Sequence, residues 1–196
     1  MDWVHPHNEH IIEADGYDEY PYAGYIDILK TITAACAGAQ SVLFVGIGAG
    51  DIARTLYSQG VSIIGIDFSA NMLAICEADM PQAQLIQHDL EKGLPQLGKT
   101  YDAVVSLHYM RTLSFGEKID LIVDMATVLK PGGKIYIGDV AFPNLKAMAT
   151  CAEEFEDLWD EDDEDGAFIA SDLKALTKLP TQFTQISFCS AVITIG

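Results

Sequence analysis

The chain has 196 residues, 49% of them hydrophobic, which allows one sizeable core. Its 29 Asp and Glu outweigh 11 Lys and Arg for a formal charge of −18, which repels nucleic-acid backbones and anionic lipid surfaces. No apolar run reaches bilayer length, the first residues lack the basic and apolar sections of an export signal, and Cys36, Cys76, Cys151 and Cys189 stand far apart, so the expectation is a cytoplasmic protein with reduced, packed thiols.

Residues 1–21 read as an irregular arm. His5, His7, Glu9 and His10 are metal-ligand types, but their spacing fits no structural zinc pattern and no metal is expected. Apolar residues at helical spacing predict a helix over 22–37, stopped by Gly38. Strands and helices then alternate: strand 41–45, helix 51–58, strand 61–66 reaching Asp67, helix 69–79 capped by Ser69, strand 84–87 and strand 101–107. A helix follows over 117–129, and Lys130-Pro131-Gly132-Gly133 is read as a chain reversal into a strand over 134–137 that reaches Asp139. Beyond Pro143, residues 145–159 read as helical, 160–166 as a solvated acidic loop and 172–178 as a short helix. Two strands over 183–189 and 191–195 meet in a tight turn around Ser190. Alternation at this spacing implies right-handed crossovers and a doubly wound α/β domain with a parallel sheet.

The functional signal centres on Gly46-Ile47-Gly48-Ala49-Gly50-Asp51, between a buried strand and a helix start. Glycines there let the chain turn tightly and let a ligand lie against bare peptide. A dinucleotide fingerprint requires glycine where Asp51 stands, and no Gly-Lys-Ser/Thr follows for a phosphate loop. A nucleoside without phosphate remains. Asp67, ending the second strand, is suited to the two ribose hydroxyls, and Asp89, ending the third, to an adenine amino group.

The stretches Val42 to Gly50, Gly65 to Leu73, His88 to Leu90, Tyr101 to Ser106 and Leu129 to Lys134 resemble, in order and spacing, the motifs of class I S-adenosylmethionine-dependent methyltransferases. The resemblance implies a Rossmann-like seven-stranded sheet with the last strand antiparallel, one domain over 1–196, S-adenosylmethionine as cofactor and S-adenosylhomocysteine as product. Within that domain, 1–38 would cover the site, 39–140 hold the cofactor, and 141–196 supply substrate-side helices and a C-terminal hairpin. It further implies that Gly46, Ile47, Gly48 and Gly50 flank the methionine part, Asp67 the ribose, Phe68 and Met72 the adenine face, Asp89 and Leu90 the adenine edge, and Ser106 the strand end beside the sulfonium. Ala14-Asp15-Gly16-Tyr17-Asp18 resembles a pattern in which the tyrosine helps close the pocket. The chain departs from the family at Phe44, where an acidic residue is usual, and at Arg111-Thr112, where many relatives carry paired histidines.

Methyl transfer is an in-line displacement from an already activated donor, so positioning dominates and a base is needed only when the acceptor loses a proton. Tyr17, His108 and Asp139 are the candidate catalytic residues, with Tyr109 and Arg111 as candidate acceptor-binding residues. The expected function is methylation of a small molecule, with neither nucleic acid nor membrane as partner. A non-catalytic binder of the same cofactor, acting as a sensor, is the alternative.

Overall fold

The computed structural model describes residues 19–159, 166–176 and 179–196. Helix α1 (Tyr25–Ala35) turns Ile28 and Ile32 inward and leads into strand β1 (Ser41–Val45). There follow α2 (Asp51–Ser58), β2 (Ser62–Asp67), α3 (Ala70–Asp79), β3 (Gln84–Gln87), β4 (Tyr101–Leu107) and α4 (Phe115–Thr127). The remainder is β5 (Leu129–Phe142), α5 (Leu145–Glu154), β6 (Phe168–Ile169), α6 (Ala170–Leu176), β7 (Thr181–Gln185) and β8 (Ser190–Ile195). Ser69 caps α3 as its sequence position predicts, its hydroxyl accepting from the Met72 N–H at 3.4 Å.

The main sheet runs β3-β2-β1-β4-β5-β8-β7, with β8 antiparallel to both neighbours and β1 to β5 parallel. This is the Rossmann-like seven-stranded arrangement with an antiparallel last strand, and the short β6 is added beside the end of β5. Strands buried on both faces explain the continuous apolar runs. Alternation sends Val42, Phe44, Ala103 and Val105 to the face covered by α1, α2 and α3, and Leu43, Val45, Val104 and Ile137 to the face covered by α4. The order reverses between β1 and β4, and the C-terminal edges of those strands are where ligands of such sheets bind.

Several boundaries differ from the sequence-based expectation. Strand β5 begins at Leu129, and Lys130 to Gly133 form a bulge within it, because Tyr101 pairs with Leu129 while Ala103 pairs with Lys134. The same strand runs past Asp139 to Phe142, where it pairs with β6. Helix α4 starts earlier and stops at Thr127, opened by a capping box between Ser114 and Glu117. Helix α5 ends at Glu154, short of the expected Trp159. The closing turn lies before Ser190, not around it. Ser190 is buried as the first residue of β8 and donates to the Ala23 carbonyl at 2.7 Å, which ties the hairpin to the segment entering α1. The acidic run 160–165 and the arm residues 1–18, including Tyr17 and the His5 to His10 cluster, lie outside the described residues.

Candidate active site

The glycine loop between β1 and α2 is wired to the end of β2. The N–H groups of Gly46 and Ile47 both donate to the Ile66 carbonyl, at 3.0 and 2.9 Å. The Gly48 N–H donates to Asp67 Oδ2 at 2.9 Å, and the Gly50 N–H turns back to the Ile47 carbonyl at 3.1 Å. These four donors are used inside the protein and so are not turned to a phosphate. All three glycines are left-handed, with φ of +73°, +54° and +85° at Gly46, Gly48 and Gly50. At Gly46 a side chain is also barred by space, since a Cβ there would lie 2.6 Å from the Tyr109 ring. Over Gly48 the space is open, with no atom within 4 Å of a Cβ position.

Asp67 is the hinge of this half. It is buried, its Oδ1 accepts from the Ser69 N–H at 2.9 Å, and one carboxylate thereby fixes both the loop and the start of α3. Each carboxylate oxygen accepts two hydrogen bonds, so capacity for ligand hydroxyls remains. Beside it Met72 is buried and Phe68 is 46% exposed, an aromatic face left open at the sheet edge. Leu90 is buried. Asp89 is half-buried, pairs with Lys92 at 2.9 Å and accepts from the Glu91 N–H at 3.2 Å, and those bonds hold its carboxyl below the usual range. An open face over Gly48, an acid at the end of β2 and an exposed ring next to it suit an adenosine whose bridge to its tail carries no phosphate, because four of the loop N–H groups are already bonded within the protein.

Helix α2 carries a brace that the sequence reading missed. Arg54 donates to Asp51 Oδ1 and to the Ala49 carbonyl, both at 2.6 Å, while the Tyr25 hydroxyl donates to Asp51 Oδ2 at 2.6 Å. The loop is therefore locked to α1 as well as to β2. Phe44, where the family has an acid, is 4% exposed and packs within the apolar cluster of α1 and α2, so no carboxylate lies beneath the loop at that position.

The ends of β4 and β5 have a different character. Ser106 is 1% exposed and its hydroxyl has no hydrogen-bond partner among the described residues. His108 follows β4 with φ +47°, the one non-glycine residue with positive φ among those described. Its backbone N–H donates to the Gly138 carbonyl at 2.9 Å, which places its ring beside β5. That ring is 9% exposed and lies between Tyr22 and Tyr25, at centroid separations of 5.3 and 5.4 Å. Neither ring nitrogen has a hydrogen-bond partner among the described residues. Asp139 is fully buried with Oδ1 3.9 Å from His108 Nδ1, and it accepts from the N–H of Arg111 at 3.2 Å and of Val140 at 2.8 Å. Burial lifts the Asp139 carboxyl to about 6, whereas burial and the Arg111 guanidinium push His108 down to about 3. The two groups thus lie in reverse of their ordinary order. Tyr109 covers Gly46, and burial pushes its phenol up.

Lys118 is the second residue the sequence reading missed. It is fully buried, donates to the Gly166 carbonyl at 2.8 Å and sits 5.2 Å from the Phe168 ring centre. Its signal was available: Lys118 shares the inward stripe of α4 with Leu121, Ile122 and Met125. Of the predicted site residues, the structure gathers Gly46, Ile47, Gly48, Gly50, Asp67, Phe68, Met72, Asp89, Leu90, Ser106, His108, Tyr109, Arg111 and Asp139 along the C-terminal edge of β1 to β5 and the turns that follow it. No described cluster of His, Cys, Asp and Glu is arranged to hold a metal ion.

The fold and this edge define a nucleoside-binding Rossmann-like enzyme. Residues 42–133 match the family model described as a methyltransferase domain. An uncharacterized methyltransferase of Geobacillus kaustophilus is 30% identical over 155 residues, spanning 75% of this chain and 71% of the relative. A demethylmenaquinone methyltransferase of Tropheryma whipplei is 34% identical over 116 residues, 56% of this chain and 48% of that protein. Among solved structures, magnesium protoporphyrin IX methyltransferase from Synechocystis with bound S-adenosylhomocysteine superposes with a TM-score of 0.67 at 17% identity, covering 89% of this chain and 84% of that one. The chain belongs to the class I S-adenosylmethionine-dependent methyltransferases, with S-adenosylmethionine as methyl donor and S-adenosylhomocysteine as product.

Proposed function

We propose that this methyltransferase acts on a small molecule in the cytoplasm, with residues 1–196 working as one catalytic unit. In this reading the cofactor's methionine part lies along Gly46, Ile47, Gly48 and Gly50, its ribose against Asp67, its adenine between Phe68 and Met72 with Asp89 and Leu90 at the edge, and its sulfonium near Ser106. The acceptor enters beside His108 and Asp139, flanked by Tyr109 and Arg111, with Tyr17 assigned to the covering arm. The observation that carries the cofactor half is the Asp67 carboxylate, which fixes the Gly48 N–H at 2.9 Å beneath an open peptide face. The acceptor half is supported by the compactness of what surrounds it. Only α5, β6 and α6 lie between β5 and the closing hairpin among the described residues, and the −18 charge opposes polyanionic substrates. The four cysteines are buried and none is in a disulfide, which suits a reducing compartment. No described helix is long and apolar enough to cross a membrane.

The test is to incubate the protein with methyl-labelled S-adenosylmethionine and the low- and high-molecular-weight fractions of a cell extract. Label entering only the small-molecule fraction is expected. Label entering protein or nucleic acid instead would replace the acceptor class.

A further inference from the structure

Buried polar atoms without partners are rare in folded proteins, and those at the end of β4 demand an account. Ser106 Oγ and both nitrogens of His108 are such atoms among the described residues. His108 also holds a left-handed backbone, a conformation that L side chains adopt at a cost and that concentrates at functional sites. Burying an imidazole, straining its backbone and leaving both nitrogens unused is destabilising on each count. The arrangement becomes favourable when a ligand supplies the missing hydrogen bonds.

Building on the proposed small-molecule methyl transfer, we propose that the acceptor is a neutral hydroxyl compound whose proton leaves through His108 to Asp139. The O–H bond breaks as oxygen attacks the cofactor's methyl carbon, the methyl–sulfur bond breaks to give a neutral thioether, and the new methyl–oxygen bond forms. The acceptor's proton goes to His108 Nε2, and the Nδ1 proton passes to Asp139 Oδ1, which lies 3.9 Å away. That separation exceeds a hydrogen bond and shortens as substrate fills the site. At neutral pH Asp139 rests ionised and ready to accept, and the relayed proton settles on it and not on His108 because Asp139 binds protons more tightly, at about 6 against about 3. On product release Asp139 loses that proton to water at neutral pH, and His108 gives up its Nε2 proton and regains one at Nδ1, which returns both groups to their starting state.

A hydroxyl fits this route better than the other heteroatoms. A thiol ionises near neutrality and needs no relay. An amine arrives as a cation, and the charges facing Asp139 include Arg111 from the turn after β4 and Lys118 from α4, with neutral Tyr22 and His108 completing the described titratable surround. A hydroxyl stays uncharged until the transition state and must lose its proton there. His108 is the catalytic residue in this scheme, and Asp139 is a positioning residue and proton store.

The experiment measures S-adenosylhomocysteine release from S-adenosylmethionine with catechol, benzyl alcohol, benzylamine and thiophenol, in parallel with calorimetric S-adenosylhomocysteine binding. Turnover is expected with the hydroxyl compounds and rises with pH through about 6, as Asp139 ionises. His108→Asn keeps a residue tolerant of left-handed backbone but removes the base, so a turnover loss of about 10²- to 10⁴-fold is expected with unchanged S-adenosylhomocysteine affinity. Asp139→Asn should abolish the acid limb of the profile, an effect that a purely structural role would not produce. Unaltered affinity in both variants shows that the fold survives. His108→Gly, free of the backbone strain, serves as a second variant if the first does not fold. Turnover by His108→Asn equal to the parent, turnover confined to benzylamine or thiophenol, or no turnover with any hydroxyl compound by a protein that binds S-adenosylhomocysteine overturns the proposal. Failure to bind S-adenosylhomocysteine at all strikes the underlying methyltransferase reading instead.

Discussion

The two halves of the strand-end surface are built on opposite plans. On the cofactor side the glycine loop is held by bonds within the protein: Asp67 holds Gly48 and Ser69, Ile66 holds Gly46 and Ile47, and Arg54 holds Ala49 and Asp51. On the acceptor side, the Ser106 hydroxyl and the His108 ring nitrogens are buried without hydrogen bonds among the described residues, and Asp139 is buried with its proton affinity raised. A ligand common to a whole family can be met by a rigid, self-satisfied cradle, because its shape never changes. An acceptor specific to one enzyme is met by groups whose hydrogen bonds are completed only when it binds, at some expense in stability.

The largest expected effect comes from breaking the support beneath the acceptor side. Lys118→Ala removes a fully buried stem and leaves the Gly166 carbonyl unpaired, so the unfolding free energy should fall by about 3–5 kcal/mol in urea titrations. Gly46→Ala attacks the cradle through both φ +73° and the 2.6 Å approach of the Tyr109 ring, and a loss of about 2–4 kcal/mol is expected from denaturant midpoints. Arg54→Ala frees the Ala49 carbonyl and Asp51 at a partly exposed site, and should cost about 1–2 kcal/mol while weakening S-adenosylhomocysteine binding.

The smallest effect lies at the opposite end of the sheet. Asp102, at the foot of β4, accepts from the Gln40 and Ser41 N–H groups, the Ser41 hydroxyl and Lys130, and these bonds draw its carboxyl down to about 2, with Lys130 the leading cause. A depressed folded value means that the contribution is complete above the unfolded value near about 3.9 and disappears as pH falls towards about 2. Asp102→Asn should therefore remove about 1 kcal/mol at neutral pH and flatten the acid limb of the stability curve between those values, because the pair is partly screened by solvent. Catalysis should be untouched, which separates the foot of the sheet from its functional edge.

How far these halves could be read beforehand follows the same division. Strands β1, β3 and β4 and helix α2 fall where their apolar runs and glycine punctuation place them, and Asp67 reaches the loop from the strand end as its spacing implies. The bulge at Lys130 to Gly133 was hidden because Pro and Gly mark a turn and a bulge with the same residues, and only the pairing register of β4 with β5 separates them. The capping box Ser114–Glu117 stands in the sequence but was passed over, so the expected start at 117 falls two residues inside α4. The approach of His108 to Asp139 was not, since it depends on a left-handed residue and on the alignment of Leu107 with Gly138 across two strands. Nor does the sequence reveal that Phe44 is absorbed by the cluster under α1 and α2, with Gly65 as its neighbour on β2.

The central claim is that the Asp67-anchored glycine loop binds the cofactor, and calorimetry of S-adenosylhomocysteine with the parent and Asp67→Ala tests it most directly. Removing hydrogen bonds to a charged group should weaken binding by about 1.5–3 kcal/mol, or about 10- to 150-fold. Equal affinity in the two proteins, with both folded, would contradict the account.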